Sequence, residues 1–124
     1  MRLVDTSAWI ELLRDTPAGK AVRQAVPTPG EWLVPTIVQL EFFKWLLREL
    51  GQDAADEALV FSRTCVVVPL STNLAVAAAE ACREFKLSTA DAIIYATAQA
   101  YGADLLTCDA HFKDLAGVVY LAKA

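Results

Sequence analysis

Positive charge is in short supply in this 124-residue chain: 11 Lys and Arg stand against 15 Asp and Glu, a net charge of −4. That balance excludes a histone-like polybasic binder whose affinity comes from its whole surface. It leaves room for a nucleic-acid enzyme whose acids gather at a metal. Cysteine is scarce too. Cys65, Cys82 and Cys108 are an odd count with no C-x-x-C pair, which argues against a disulfide framework or zinc site and predicts reduced, buried thiols in a cytosolic protein. The longest uncharged stretch, from Thr64 to Glu80, is interrupted by Pro69, Ser71, Thr72 and Asn73. It is no membrane span. The start reaches Asp5 after only two apolar residues, so no secretory apolar region is expected and the predicted location is cytoplasmic. No repeat, low-complexity segment or interdomain linker is present.

What remains is rich in core-forming residues: 56% are hydrophobic and 21% charged, which argues against disorder. Residues 1–124 suit one domain. Arg2 to Asp5 reads as a buried strand handing over to a helix through Leu13, with Asp5, Thr6 or Ser7 as cap. A second helix covers Ala18 to Val26, a turn Pro27 to Gly30, and a strand Glu31 to Val34. Pro35-Thr36 opens a helix with Gln39 at capping-box spacing, which Gly51 stops; Asp53 is expected to cap the next, through Phe61. The β-branched run Cys65 to Val68 suits a central parallel strand. Ser71-Thr72 opens a helix to Phe85, and Ser88 opens another ending near Tyr101-Gly102. Ala103 to Thr107 is a strand, Asp109 to Leu115 a short helix and Val118 to Leu121 a last strand. The alternation predicts a three-layer α/β domain with a mostly parallel sheet of about five strands.

Four acids fall at comparable places: Asp5, Glu41, Asp91 and Asp109. Each alone has a plain structural explanation. Asp5 and Asp109 can cap the helices that follow them, Asp91 completes Ser88-x-x-Asp91, and Glu41 shares a helix face with Lys44 and Arg48. Together they say more. Asp5 and Asp109 close strands, and Glu41 and Asp91 lie in early helical turns, so all four can converge outside the carboxyl ends of the sheet. Four carboxylates there repel one another unless a cation lies between them, and oxygen-only ligands select Mg²⁺ or Mn²⁺ over zinc. Setting the four aside leaves eleven acids, equal to the eleven basic residues. Such a centre suits phosphodiester hydrolysis, with Thr6, Ser7 and Thr107 as supporting hydroxyls and Lys44 and Arg48 as phosphate contacts.

Four segments in order carry a resemblance: Leu3-Val4-Asp5-Thr6-Ser7, Val38-Gln39-Leu40-Glu41, Leu87-Ser88-Thr89-Ala90-Asp91-Ala92 and Leu106-Thr107-Cys108-Asp109-Ala110-His111-Phe112. Together they resemble the PIN-domain ribonucleases, above all the VapC toxins of toxin–antitoxin pairs, over residues 2 to about 121. The resemblance implies a PIN-like fold and an endoribonuclease using Mg²⁺ or Mn²⁺, with Asp5, Glu41, Asp91 and Asp109 at its centre. It implies that Asp5, Asp91 and Asp109 hold the metal, and that RNA is the substrate. It also implies a homodimer and a cognate antitoxin reaching into the active-site groove. Tyr95 stands where relatives carry a small residue, and Cys108 where the position is often basic.

Other readings stay in view. The single histidine, His111, has no triad or metal partner by spacing and reads as a packing or surface residue. Cys108, beside Asp109, carries a concern about oxidation. Phe42, Phe43, Trp45, Leu46 and Leu47 make an apolar face too wide for one stripe, which is either core or the seat of an antitoxin or second protomer. Ile93 to Ala100 is apolar nearly all round and reads as a buried helix. A phosphatase using Asp5 as nucleophile is disfavoured by Ser7 and by the lack of a matching lysine, and a receiver domain fails on the same lysine. A housekeeping nuclease in RNA processing and a non-catalytic PIN-like binding module are the remaining alternatives; the latter is marked by lost acids, and none is lost.

Overall fold

The computed structural model describes residues 1–123. In chain order it contains β1 (Arg2–Val4), α1 (Thr6–Leu12), α2 (Pro17–Ala25), β2 (Trp32–Pro35), α3 (Thr36–Glu49), α4 (Gln52–Ser62), β3 (Val66–Val68), α5 (Thr72–Phe85), α6 (Thr89–Ala100), β4 (Asp104–Thr107) and β5 (Val118–Tyr120). Single 3₁₀ turns at Pro29–Glu31 and Ala110–Phe112 complete it. The five strands form one parallel sheet in the order β3-β2-β1-β4-β5. This is the expected α/β architecture. Successive residues of a strand face opposite sides of the sheet, and both members of Leu3-Val4, Leu33-Val34 and Leu105-Leu106 are buried. Helices therefore cover both faces, as a parallel sheet requires.

Local signals set most boundaries. Ser71 and Ser88 cap α5 and α6, their hydroxyls accepting from the backbone N–H of Leu74 and Asp91. Helix α6 is buried along Ala92, Ile94, Tyr95, Ala96, Thr97 and Ala98, and small residues bring α5 close, Ala78 and Ala81 meeting Ala92 and Ala96. The Tyr95 hydroxyl donates to the Ala116 carbonyl at 2.8 Å, which satisfies it within the core. Gly19 is required by close approach of α2 to α1: a Cβ there would overlap the carbonyl oxygens of Arg14 and Glu11. At the amino ends of the strands, Arg2 makes two parallel bonds to Asp104, both 2.9 Å, tying β1 to β4.

Several expectations are corrected. The Cys65–Val68 run forms an edge strand, not a central one: β3 pairs only with β2, and Val67 is 37% exposed. A β-branched run reports strand propensity, while its place in the sheet depends on pairing distant in sequence. Gln39 closes no capping box. Pro35 occupies the cap of α3, and the Gln39 amide donates instead to Ser62 Oγ at 3.1 Å, joining α3 to the end of α4. Asp53 lies inside the first turn of α4, because the chain enters that helix directly from Gly51 at φ 94°. The helix expected over Asp109 to Leu115 shortens to one 3₁₀ turn, ended by the extended ψ of 137° at Lys113 and followed by Asp114 at φ 74°. Among the described residues no helix is long and apolar enough to cross a membrane.

Candidate metal centre

The sheet order turns back at β1: β2 and β3 lie on one side, β4 and β5 on the other. Ligands in open α/β sheets bind outside the carboxyl ends of strands at such a reversal. Asp5 follows β1 and Asp109 follows β4 there, and the Asp5 N–H donates to the Leu106 carbonyl at 2.9 Å. Asp5 sits at the cap position of α1, yet its carboxylate caps nothing. Oδ2 instead accepts from Ser7 Oγ at 2.7 Å and Thr107 Oγ1 at 2.8 Å. The same hydroxyls accept from the next segment, Ser7 Oγ from Cys108 N–H and Thr107 Oγ1 from Asp109 N–H. Asp5 is 3% exposed. Burial pushes its carboxyl from 3.8 up to about 6, against the lowering effect of the two hydroxyls and with nearby Asp109 adding to the rise.

A compact group lies beside it. One ligand atom each from Asp91, Asp109 and His111 fall within 4.8 Å of one another. His111 Nδ1 is 3.1 Å from Asp91 Oδ2 and 3.4 Å from Asp109 Oδ1, while Asp109 Oδ1 also accepts the His111 backbone N–H at 2.9 Å. Asp109 thus does cap its short turn, as its plain explanation holds, and the tightness of that turn brings the ring back over the acids. His111 is exposed, as its surface reading has it, but its contacts were not visible in the sequence. The signal lay in the i, i+2 spacing to Asp109, legible only once the turn is known to be 3₁₀.

Glu41 is held separately, with Oε1 accepting from Thr6 Oγ1 at 2.7 Å. No Glu41–Lys44–Arg48 ion-pair stripe forms among the described residues. Arg48 pairs with Glu49 at 3.0 Å and stands about 10 Å along α3 from Glu41. Cys108 is buried, which pushes its thiol up to about 11; the concern about oxidation falls with it. On α3, Phe42 and Leu46 are core, Phe43 and Trp45 are half-buried, and Leu47 is exposed. A groove of about 480 Å³ opens where Trp9, Leu13, Phe42, Leu46, Leu50 and Phe61 meet.

The donor set suits a hard divalent cation. Among the described residues no lysine or arginine pairs with Asp5, Glu41, Asp91 or Asp109, and the basic side chain that meets Asp91 and Asp109 is His111. The carboxylate oxygens match the preferences of a hard cation, whereas the His111 imidazole departs from the oxygen-only set expected, since imidazole also suits zinc and other transition metals.

Comparison with solved structures finds a toxin–antitoxin complex from Klebsiella pneumoniae at 24% identity and TM-score 0.86, covering all of both chains. VapC20 of Mycobacterium tuberculosis, a toxin that cleaves the Sarcin-Ricin loop, matches at 23% identity and TM-score 0.78 over 95% of this chain and 97% of its own. DNA-bound VapBC from Salmonella typhimurium matches at 16% identity and TM-score 0.71 over 97% of each. Comparison with curated proteins finds no match. The PIN domain model matches residues 2–118, nearly the whole length, and the chain belongs to the PIN domain family.

Proposed function

We propose that this chain is a divalent-metal-dependent endoribonuclease and the toxin of a type II toxin–antitoxin pair, working in the cytoplasm. The observation that carries the reading is the meeting of Asp91, Asp109 and His111 beside buried Asp5, at the point where the sheet order reverses and with no lysine or arginine paired with these acids among the described residues. Asp5, Asp91 and Asp109 would hold Mg²⁺ or Mn²⁺, and His111 offers a further ligand atom beside Asp91 and Asp109. A metal held there would supply charge to neutralise a substrate phosphate and to acidify a water. Thr107 and Ser7 fix the Asp5 carboxylate. Thr6 occupies one oxygen of Glu41, leaving the other to orient or deprotonate the attacking water. Lys44 contacts flanking phosphate, and Arg48 only a more distant part of the RNA.

The groove bounded by Trp9, Leu13, Phe42, Leu46 and Phe61 receives an apolar segment of the antitoxin, and the toxin is a homodimer. Support comes from its apolar lining, continued by Leu13 and Leu50 at 51% and 57% exposure, and from the toxin–antitoxin complexes among the fold's neighbours.

Cleavage of structured and single-stranded RNAs with Mg²⁺, Mn²⁺ or EDTA tests the reading. Asp5→Asn and Asp91→Asn are run beside the native chain, each checked for folding. Metal-dependent cutting that both substitutions abolish is expected. No cutting and no metal bound by calorimetry would leave a binding module.

A further inference from the structure

A second concavity of about 180 Å³ adjoins the acids, between the end of α5 and the start of α6. Its walls are Phe85, Lys86, Leu87, Ser88, Asp91 and His111. It is smaller than the roughly 300–1,000 Å³ of pockets that engulf a drug-sized ligand, so it suits one ring or one small group. Two of the lining residues, Phe85 and Leu87, are apolar. Asp91 is shared with the metal centre, so whatever fills this space lies immediately beside the reacting phosphate. The His111 ring is tethered through Nδ1 to Asp91, which orients it and leaves its Nε2 edge without a protein partner among the described residues.

We propose that this pocket is a base-binding subsite: it receives the unstacked base of a nucleotide next to the cleaved phosphate and sets a preference at one position of the RNA. The inference rests on the nuclease reading for its substrate. Proteins that read RNA sequence take splayed bases onto aromatic or imidazole faces and hydrogen-bond their edges, and Phe85, His111 and Ser88 offer those elements. A phosphate is the poorer occupant, since Asp91 repels it and Leu87 and Phe85 give it nothing. Lys86 stands at the rim, with no ion-pair partner among the described residues and a left-handed backbone, φ 56°, that glycine would adopt at no cost. Its charge suits the sugar–phosphate chain leading away from the bound base.

The first arm of the test is independent of cleavage. The metal-free protein in EDTA is titrated with adenosine, guanosine, cytidine and uridine, and separately with inorganic phosphate, while its amide NMR spectrum is followed. Saturable shifts at Lys86 to Ser88 and His111 with at least one nucleoside, and none there with phosphate, are expected. No nucleoside response, or a response to phosphate alone, overturns the proposal. In the second arm a random single-stranded RNA pool is cut with Mg²⁺ or Mn²⁺ and the ends are sequenced. Leu87→Phe, which narrows the pocket, flattens the base ratio at one position beside the cut by about fivefold or more. Lys86→Gly, whose fold is not at risk, weakens the nucleotide without changing which base is favoured. A preference unaltered in Leu87→Phe overturns the subsite. If the native chain cuts no RNA, the nuclease reading fails and the nucleoside titration still decides the pocket.

Discussion

Thr107 Oγ1 donates to Asp5 Oδ2 at 2.8 Å across 102 residues of sequence. The same oxygen accepts the Asp109 N–H at 2.9 Å, so one buried hydroxyl couples the acids that end β1 and β4. Thr107→Val keeps the shape and removes both bonds. It is expected to lower metal affinity or RNA cleavage about 10- to 100-fold and to cost about 1–3 kcal/mol, since the Asp109 N–H loses its acceptor. Calorimetric metal titration and urea unfolding read the two effects separately. Unchanged metal affinity would show that Thr107 is purely structural.

Stability without metal should depend on pH through Asp5. Its carboxyl is raised from 3.8 to about 6 in the folded chain, so the native state binds the extra proton between those values. Stability is therefore greatest below the lower value and declines as pH rises through about 6, by about 3 kcal/mol in total. In EDTA, Asp5→Asn should be more stable than the native chain near pH 7 and gain little near pH 4. Divalent metal should reverse the order by stabilising only the native chain. Thermal melts across this range check it, and a pH-independent difference between the two proteins would refute the assignment.

Gly19→Ala should destabilise the fold by about 1–3 kcal/mol or more, because the new methyl meets the backbone oxygens of Arg14 and Glu11, which cannot swing aside as a side chain would. The loss should appear in the urea midpoint with the slope unchanged. A neutral substitution would mean that α2 can move off α1.

The cysteines should differ in reactivity. Cys108 is 3% exposed and its thiol is pushed up to about 11, whereas Cys65 and Cys82 are half-buried. Brief alkylation of the native protein near neutral pH should label Cys65 and Cys82 ahead of Cys108, and denaturation should equalise them. Peptide mass spectrometry distinguishes the sites. Early labelling of Cys108 would show that the region around Asp109 opens readily.

Features that depend on neighbours along the chain are legible in the amino-acid sequence alone. The hydroxyls of Ser71 and Ser88 reach amides three residues on, and the apolar run expected to be buried is buried from Ile94 to Ala98, while Gln99 and Ala100 at its end are exposed. The same reasoning fails where two local explanations compete. Gln39 has the spacing of a capping box, but Ser62 offers its amide a partner 23 residues away. Asp5 has the position of a cap, but two hydroxyls take its carboxylate.

The sequence by itself determined the alternation of strands and helices, the burial of the β1 residues, and the placement of Asp5 and Asp109 after strands and Asp91 in a first helical turn. These follow from periodicity, capping and hydrophobicity, which act over a few residues. Only the tertiary structure decided that β3 lies at an edge, that His111 joins Asp91 and Asp109, that Thr107 links Asp5 to Asp109, and that Lys86 and Leu87 shape a pocket beside the acids. Each of these depends on segments far apart in the chain being brought together by strand pairing and core packing. Contacts of that kind leave no periodic mark in the sequence, because their geometry is set by the whole sheet and not by any stretch of it.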